Sequence, residues 1–334
     1  MSQIVFTGIE GWEEPYLQER LTGHQLTFIR RALQKQDFGG LRRTEILSPF
    51  IYTPINDELL DQLPELKFIA TRSTGFDHID VEACHQRGIK VANVPFYGEN
   101  TVAEHTWALI LALSRKIFQS YERTERGDFS LDGLRGFDLK GKTIGVIGGG
   151  HIGQHVIRIA KAFGMKVVVF DVKQDVALAK NMGFEYASLD ALLKESDVIT
   201  LHAPYNKKTH HLLNADSMKL IKQGAVLVNT ARGGLVDTIE LVKVLESGRL
   251  AGAGLDVLEE ENFIKEESEL LTPEFKNKCD LKTLIADHVL LQRNNVIITP
   301  HNAFNSQEAI MRILDTTIEN IKGFLEGKII NQVK

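Results

Sequence analysis

Two polar residues in the second half of the chain each stand two positions after an apolar, strand-like run. Arg232 follows the run 225–230, and His301 follows the run 296–299. Ligands of parallel α/β sheets bind beyond the carboxyl ends of the strands, so both side chains are candidates for a functional site. An arginine fork grips a carboxylate and polarises a neighbouring carbonyl group. An imidazole that titrates near neutral pH can donate and recover a proton. Together they could bind a small carboxylic acid and exchange a proton with it.

Acidic residues near these positions could assist the histidine. Asp256 lies within another apolar run, 254–258, and Glu259, Glu260 and Glu261 follow that run. A carboxylate that is hydrogen-bonded to an imidazole favours the protonated ring. Spacing alone does not choose among the three glutamates, and Asp256 can equally be a cap or a fold-stabilising carboxylate. His202, which also ends a strand-like run, is a further candidate.

A glycine-rich turn predicts a dinucleotide site. The strand-like run 143–147 leads into Gly148, Gly150 and Gly153, after which a helical pattern begins. These glycines would supply the tight turn, the close approach of the backbone to a pyrophosphate, and the close packing of helix on strand. Asp171 ends the next apolar run, 23 residues after Gly148. Its carboxylate can accept hydrogen bonds from a ribose and would repel a 2′-phosphate, so the pattern predicts NAD as the cofactor.

Short apolar runs alternate with helical patterns along the chain, which is typical of βα units. The strands predicted in the first hundred residues are 4–8, 46–51, 66–71 and 89–91. The strands predicted in the second series are 143–147, 166–171, 197–202, 225–230, 254–258 and 296–299. One long helix is predicted over 101–126 and another over 307–326. We therefore expect an α/β protein.

Two doubly wound parallel-sheet domains, Rossmann-like or flavodoxin-like, with a cleft between them are the predicted architecture. Residues 1–100 plus 301–334 are expected to form a discontinuous substrate domain, because the last helix is too short to be a domain alone. Residues 101–300 hold six predicted strands, as a Rossmann sheet requires, and are expected to be the NAD-binding domain. The long excursion 259–295, helical around Leu270 and over 281–291, suggests a functional or dimer-facing insertion.

Composition narrows the possible partners. The 334 residues are 43% hydrophobic and 25% charged, which excludes a disordered or fibrous chain. A net charge of −5 is too small to favour nucleic acid or an anionic membrane face. No apolar run reaches the roughly 20 residues of a membrane span, and no secretory signal opens the chain, so we expect a cytoplasmic protein. Cys84 and Cys279 lack the spacing of metal ligands, and no metal site or disulfide framework is expected.

Over essentially its whole length the sequence resembles the D-isomer-specific 2-hydroxyacid dehydrogenases, and within them the D-lactate dehydrogenase subgroup. The motifs that carry the resemblance are the glycine motif with Asp171 and the segments 71–80, 93–95, 102–106, 201–204, 229–233, 254–257 and 299–301. The resemblance implies NADH-dependent reduction of a 2-oxo acid such as pyruvate to the D-2-hydroxy acid. It also implies a homodimer formed through the second domain.

Matching positions imply a role for individual residues. Arg232 would bind the substrate carboxylate, and His301 would be the general acid/base. Glu261 would be the partner of His301, because the glutamate of the family lies five residues after the aspartate that matches Asp256. The substrate-binding positions implied by the resemblance are Thr74, Gly75, Phe50 and Tyr97. The further cofactor-binding positions are His151, Ile152, Ala203, Pro204, Thr209, Thr230, Ala231 and Asp256.

One departure from the family pattern bears on the substrate. D-lactate dehydrogenases typically carry Ile-Ala-Tyr-Tyr after the histidine, whereas this chain has Asn302, Ala303, Phe304 and Asn305. Glyoxylate, hydroxypyruvate or a bulkier 2-oxo acid are therefore alternatives to pyruvate. Formate dehydrogenases share the fold but pair their histidine with glutamine, and Glu261 argues against that activity. A non-catalytic, NAD-sensing scaffold of the corepressor kind is the alternative from a different functional class.

Overall fold

The computed structural model describes residues 1–259, 261 and 280–333. They form two compact units: unit 1 is Met1–Gly98 with Asn305–Lys334, and unit 2 is Glu99–Phe304. Glu260, Cys279 and the helical pattern expected around Leu270 lie outside the described residues.

The strands and helices of the described residues are numbered along the chain. The strands β1–β12 are Gln3–Thr7, Gln25–Ile29, Ile46–Ser48, Phe68–Ala70, Lys90–Ala92, Thr143–Ile147, Lys166–Phe170, Glu185–Tyr186, Val198–Leu201, Ala225–Asn229, Leu250–Leu255 and Val296–Ile298. The helices α1–α12 are Glu13–Arg20, Asp57–Leu60, Val81–Gln86, Glu99–Arg115, Ile117–Glu125, His151–Ala162, Val176–Met182, Leu189–Glu195, Ala215–Met218, Thr238–Glu246, Leu281–Leu291 and Gln307–Leu325. Two 3-10 helices are Lys35–Leu41 and Gly233–Leu235.

Unit 1 is built on a five-stranded parallel sheet in the order β2-β1-β3-β4-β5. This is the flavodoxin-like strand order. Helix α12 returns from the end of the chain and buries Leu314 and Ile321 in the same cluster as Phe6 of β1 and Phe68 of β4. The ring of Phe68 also stacks on Phe324, with 4.4 Å between the ring centres. The last helix therefore completes one face of this sheet.

Unit 2 contains a seven-stranded parallel sheet in the order β12-β11-β10-β9-β6-β7-β8. Strand β6 pairs with β7 on one side and with β9 on the other, so the direction of winding reverses there. Such a reversal opens a crevice at the carboxyl ends of the strands, where the ligands of doubly wound folds bind. Apolar clusters cover both faces of the sheet, as expected for buried parallel strands. The predicted α/β class with two doubly wound parallel sheets is confirmed.

Three features of the elements differ from the sequence-based expectation. Each sheet has one strand more than predicted: β2 lies at the edge of the first sheet and the two-residue β8 at the edge of the second. The helix expected over 101–126 is interrupted at Lys116, whose φ of 54° is left-handed, and this break separates α4 from α5. The predicted strand 254–258 lies earlier, at β11.

Within the described residues, no helix is long and apolar enough to cross a membrane. The same part of the chain contains no cluster of three or more histidine, cysteine, aspartate or glutamate side chains that could hold a metal ion. Cys84 is fully buried in unit 1, and this burial raises the pKa of its thiol to about 11. The thiol therefore stays protonated at neutral pH, which makes it a packing group rather than a nucleophile.

Candidate active site

The turn between β6 and α6 is shaped by backbone contacts that only glycine permits. Gly148 has a φ of 101°, and a Cβ atom there would lie 2.7 Å from the carbonyl carbon and oxygen of His202. A Cβ atom on Gly153 would lie 2.1 Å from the carbonyl oxygen of Gly148. Gly150 is the N-cap of α6, so the first N–H groups of that helix face the turn. The glycine turn and these N–H groups fit a pyrophosphate held at the positive end of the helix.

Asp171 lies at the carboxyl end of β7 and braces the same turn. Its Oδ2 accepts a hydrogen bond from Gly149 N at 2.7 Å, and its Oδ1 accepts one from Lys173 N at 2.8 Å. These bonds hold the carboxylate beside the glycine turn, where it can meet the ribose of a dinucleotide. The side chain of His151 is exposed, and its Nδ1 lies 3.4 Å from Glu99 Oε1. Ile152, the next residue, is half-buried.

The remaining predicted cofactor positions lie after β9 and β10. Thr209 Oγ1 donates to Pro204 O at 2.8 Å and accepts from Asn206 N at 2.8 Å, which closes the loop after β9. After β10, Thr230 Oγ1 lies 2.9 Å from Thr106 Oγ1 of α4. Ala203 and Ala231, both half-buried, occupy the same two loops, and Ala231 N donates to the side chain of Asn229. The structure thus brings these positions to the carboxyl edge of the seven-stranded sheet.

His301 and Glu261 are in direct contact. The Nδ1 atom of His301 lies 2.7 Å from Glu261 Oε1, and both side chains are partly buried. Because an ionised carboxylate can only accept hydrogen bonds, Nδ1–H of the imidazole is the donor. The Nε2 atom of His301 is then the nitrogen that can exchange a proton with a ligand.

Asp256 holds the turn that carries His301. Its side chain is 1% exposed, with Oδ1 accepting from Thr299 Oγ1 at 2.5 Å and from Asn302 N at 3.0 Å. Oδ2 accepts from Ala303 N at 2.9 Å. The turn needs this support because His301 has a φ of 52°, a left-handed conformation that is rare outside glycine. The carboxylate predicted to contact the cofactor thus makes at least three hydrogen bonds within the protein.

His105 is a further polar member of this cluster, which the sequence places only within the family segment 102–106. It lies on α4, with Nε2 3.1 Å from Thr299 Oγ1 and 3.5 Å from Asp256 Oδ1. A histidine interrupting an apolar face was the available signal, but its partners are more than 150 residues away in the sequence. His105 therefore supports the His301 turn through Thr299 and Asp256.

Arg232 lies between β10 and the 3-10 helix that follows. Its Nη1 donates to Ala231 O at 2.8 Å, and Asn229 Nδ2 donates to the carbonyl oxygen of Arg232 at 2.9 Å. A Cβ atom on Gly233 would lie 2.1 Å from the carbonyl of Leu258. This close approach brings the segment with Arg232 against the segment that leads to Glu261. Both groups therefore lie at one edge of unit 2.

The structure separates two of the three glutamates that spacing could not distinguish. Glu259 Oε1 lies 2.5 Å from His211 Nε2, and Glu259 Oε2 accepts from Thr238 N and Oγ1 at 3.1 and 2.8 Å. Glu259 is therefore engaged away from His301, whereas Glu261 faces it.

In unit 1 the predicted substrate loop is held by its own side chains. Thr74 Oγ1 donates to Val94 O, and Asn93 Nδ2 donates to Thr74 O, both at 2.7 Å. Ser73 Oγ donates to Gly75 O at 2.6 Å. Within the described part of the chain, the backbone N–H groups of Thr74 and Gly75 donate to no protein acceptor. They are thus available to an anionic ligand.

The two predicted substrate-lining aromatic residues also lie in unit 1. Phe50 follows β3, and its ring packs edge-on against Tyr52 with 5.5 Å between ring centres. Tyr97 is half-buried, and its carbonyl oxygen accepts from Arg312 Nε at 2.5 Å. The loop after β5 is therefore tied to helix α12.

Comparison with known proteins identifies the family. The sequence profile described as "D-isomer specific 2-hydroxyacid dehydrogenase, NAD binding domain" matches residues 107–303. The D-lactate dehydrogenase of Escherichia coli is 35% identical over 324 residues, which cover 95% of each chain. The glyoxylate reductase of Thermococcus litoralis is 35% identical over 297 residues, 86% of this chain and 83% of that one.

A solved structure is similar over nearly the whole chain. The D-lactate dehydrogenase of Aquifex aeolicus, complexed with NAD and lactic acid, has a TM-score of 0.86 and 39% identity, and the match covers 97% of this chain and 96% of that chain. The expected family and the expected cofactor are confirmed. The chain belongs to the D-isomer-specific 2-hydroxyacid dehydrogenases, a family of NAD-dependent oxidoreductases.

Proposed function

We propose that this protein reduces a 2-oxo acid, such as pyruvate, to the D-2-hydroxy acid with NADH. The observation that carries the proposal is the 2.7 Å contact between His301 Nδ1 and Glu261 Oε1 at the edge of the sheet that holds the glycine turn. A paired imidazole of this kind can deliver a proton to a carbonyl oxygen. Relatives named D-lactate dehydrogenase, similar over almost the whole chain, support the same substrate class.

The chain's own residues would hold NAD at the glycine turn. We assign the pyrophosphate to the N–H groups around Gly150, His151 and Ile152, and the adenosine ribose to Asp171. The other assigned cofactor positions are Gly148, Gly153, Ala203, Pro204, Thr209, Thr230, Ala231 and Asp256. NADH, when bound, supplies the hydride for the reduction.

Proton delivery is assigned to His301. Its Nε2 would donate a proton to the carbonyl oxygen of the substrate, since Nδ1 is engaged by Glu261. The negative charge of Glu261 stabilises the protonated ring before transfer and keeps the imidazole in one orientation. We assign Arg232 to the substrate carboxylate, because its guanidinium fork can bind both carboxylate oxygens and polarise the adjacent carbonyl group.

Residues of unit 1 are assigned to the rest of the substrate. The N–H groups of Thr74 and Gly75 suit a carboxylate, because backbone donors held by a rigid loop bind an anion without reorganisation. Phe50 and Tyr97 are assigned to the substrate side chain. We accordingly assign substrate binding to residues 1–100 plus 301–334 and NAD binding to residues 101–300.

The substrate side chain is the open part of this proposal, and a glyoxylate reductase is the second candidate. The glyoxylate reductase of Thermococcus litoralis and the D-lactate dehydrogenase of Escherichia coli are each 35% identical to this chain, over 86% and 95% of its length. Phe304 and Asn305 stand where D-lactate dehydrogenases typically carry two tyrosines. A tyrosine hydroxyl expected near the substrate is therefore replaced.

The test is NADH oxidation by the purified protein with pyruvate, glyoxylate, hydroxypyruvate and a branched 2-oxo acid, followed by chiral analysis of the products. We expect turnover with at least one of these acids and a D-configured product wherever the product is chiral. NADH binding without reduction of any of them would contradict the proposal and favour an NAD-sensing scaffold.

We further propose a homodimer formed through unit 2. Around α5, several large apolar side chains stand in solvent, including Phe129 and Leu131, which are 80% and 82% exposed. The others in this stretch are Ile117, Phe118 and Tyr121. A surface of this kind marks an interaction site, and we assign a second copy of the chain to it. A cytoplasmic location stays a prediction.

A further inference from the structure

Arg72 is a buried arginine that the proposed reaction does not use. It lies two residues after β4, at the carboxyl edge of the sheet in unit 1, and is only 2% exposed. Arginine is almost never fully buried unless its charge is paired. Arg72 immediately precedes the loop Ser73–Gly75, so partners of the buried guanidinium group also fix the start of this loop.

The guanidinium group of Arg72 joins this loop to the end of β1 and the start of α1. Its Nη2 donates to the carbonyl oxygens of Thr7 and Gly8 at 2.5 and 2.8 Å. Its Nη1 lies 3.3 Å from Glu13 Oε2, and Glu13 is itself buried. Glu13 is fixed in turn, because Oε2 also accepts from Glu10 N at 2.9 Å. All these groups belong to unit 1.

Arg72 also holds the segment that follows β3. Its backbone N–H donates to Pro49 O at 3.0 Å, and its guanidinium carbon lies 5.7 Å from the centre of the Phe50 ring. That distance is within the range of a cation–π contact. One side chain thus connects the carboxyl ends of β1 and β4 with Phe50, next to residues assigned to the substrate.

We propose that Arg72 is a positioning residue for the substrate: it fixes the Ser73–Gly75 loop and Phe50 so that the loop N–H groups meet the substrate carboxylate. Arg72 itself is too deeply buried to touch a ligand. The inference rests on the proposed function, since it names what holds the assigned substrate residues in place. A lysine cannot replace this arginine, because one ammonium group lacks the planar fork that reaches two carbonyls and a carboxylate together.

The experiment compares Arg72→Lys with the wild type and with Arg87→Lys. Arg87 also lies in unit 1 and pairs with Asp57 and Asp61, but it follows α3 just before β5 and so lies at the opposite edge of the sheet. For each protein, kcat and the KM values for the 2-oxo acid and for NADH are measured, together with the melting temperature. We expect Arg72→Lys to raise KM for the 2-oxo acid about tenfold, with kcat less affected and KM for NADH within about twofold.

The control variant Arg87→Lys should keep kcat and both KM values, for the 2-oxo acid and for NADH, near those of the wild type. An unchanged KM for the 2-oxo acid in folded Arg72→Lys, or an equal rise in both KM values, would overturn the inference. If Arg72→Lys does not fold, Glu13→Gln is tested for the same selective rise in KM for the 2-oxo acid. This variant weakens the pairing of Glu13 with Arg72 but leaves the guanidinium group in place. A wild type that reduces no 2-oxo acid would instead refute the proposed function on which the inference rests.

Discussion

His202 is a buried histidine directly after β9, beside the glycine turn. Its Nε2 lies 2.9 Å from Thr200 Oγ1, while its buried Nδ1 has no hydrogen-bond partner among the described residues. Burial lowers the pKa of His202 from 6.5 to about 3. The folded protein therefore keeps this ring neutral, whereas the unfolded chain takes up a proton below pH 6.5.

This difference in pKa predicts an acid-sensitive stability. Between pH 6.5 and pH 3 the unfolded state binds one proton more than the folded state. As the pH falls through this range, the free energy of unfolding therefore decreases by about 1.4 kcal/mol for each pH unit. We expect the wild type to lose about 2 kcal/mol more than His202→Asn between pH 7 and pH 5. Urea denaturation of both proteins at the two pH values measures this. Parallel losses in the two proteins would show that His202 is not the group responsible.

The three consecutive glutamates show why residue roles were only partly predictable. Their spacing is compatible with any of them meeting a histidine, and the choice of Glu261 depended on the family resemblance. The structure separates Glu259, which meets His211 and Thr238, from Glu261, which meets His301. Such partners are some 20 to 50 residues apart in the sequence. The same holds for Arg72 and Glu13, whose pairing no local pattern indicates.

At the scale of elements, the predictable parts were those with a strong local signal. The strand-turn-helix of the glycine motif and the buried strand β10 followed from apolar runs bounded by glycine and polar residues. Strand β2 was missed because it is an edge strand with no fully buried residue. The break at Lys116 was missed because no glycine or proline interrupts the helical pattern there. Whether an edge strand forms, or a long helix breaks, depends on pairing and packing with distant parts of the chain.

The turn that carries His301 is the element whose support can be tested. Asn at position 256 would offer one acceptor oxygen in place of two, so at least one of the Asn302 and Ala303 N–H groups would lose its partner. We expect Asp256→Asn to lower the free energy of unfolding by about 1–3 kcal/mol. We also expect kcat to fall, because the left-handed conformation of His301 depends on this turn. Thermal melts and steady-state kinetics measure the two effects.

A matched variant separates this supporting role from cofactor binding. Thr299→Val removes the contacts of Thr299 Oγ1 with Asp256 and His105 but leaves both backbone N–H donors to Asp256 in place, so it should show the same two effects at smaller size. The dissociation constant for NADH should change little in either protein. A marked loss of NADH affinity in Asp256→Asn, without loss of stability, would show that its carboxylate serves the cofactor instead.

At the scale of the whole molecule, the exposed apolar stretch around α5 predicts how two chains associate. We expect Phe129→Asp combined with Leu131→Asp to convert a dimer to a monomer, because two charges would be buried in the interface. Light scattering coupled to size-exclusion chromatography gives the mass directly. Val176→Asp is the control, since Val176 is also exposed but lies on α7. A dimer that persists in the double variant, or dissociates in the control, would place the interface elsewhere.

The central claim is that His301 is the general acid of a 2-oxo acid reductase whose cofactor site is independent of it. The most direct measurement is kcat for the best 2-oxo acid and the dissociation constant for NADH, in the wild type and in His301→Ala. His24→Ala, just before β2 in unit 1, serves as the control. We predict that kcat falls about 10²–10⁴-fold in His301→Ala while the dissociation constant for NADH stays within about twofold. A retained kcat, or an equal loss of turnover and NADH binding, would contradict the account.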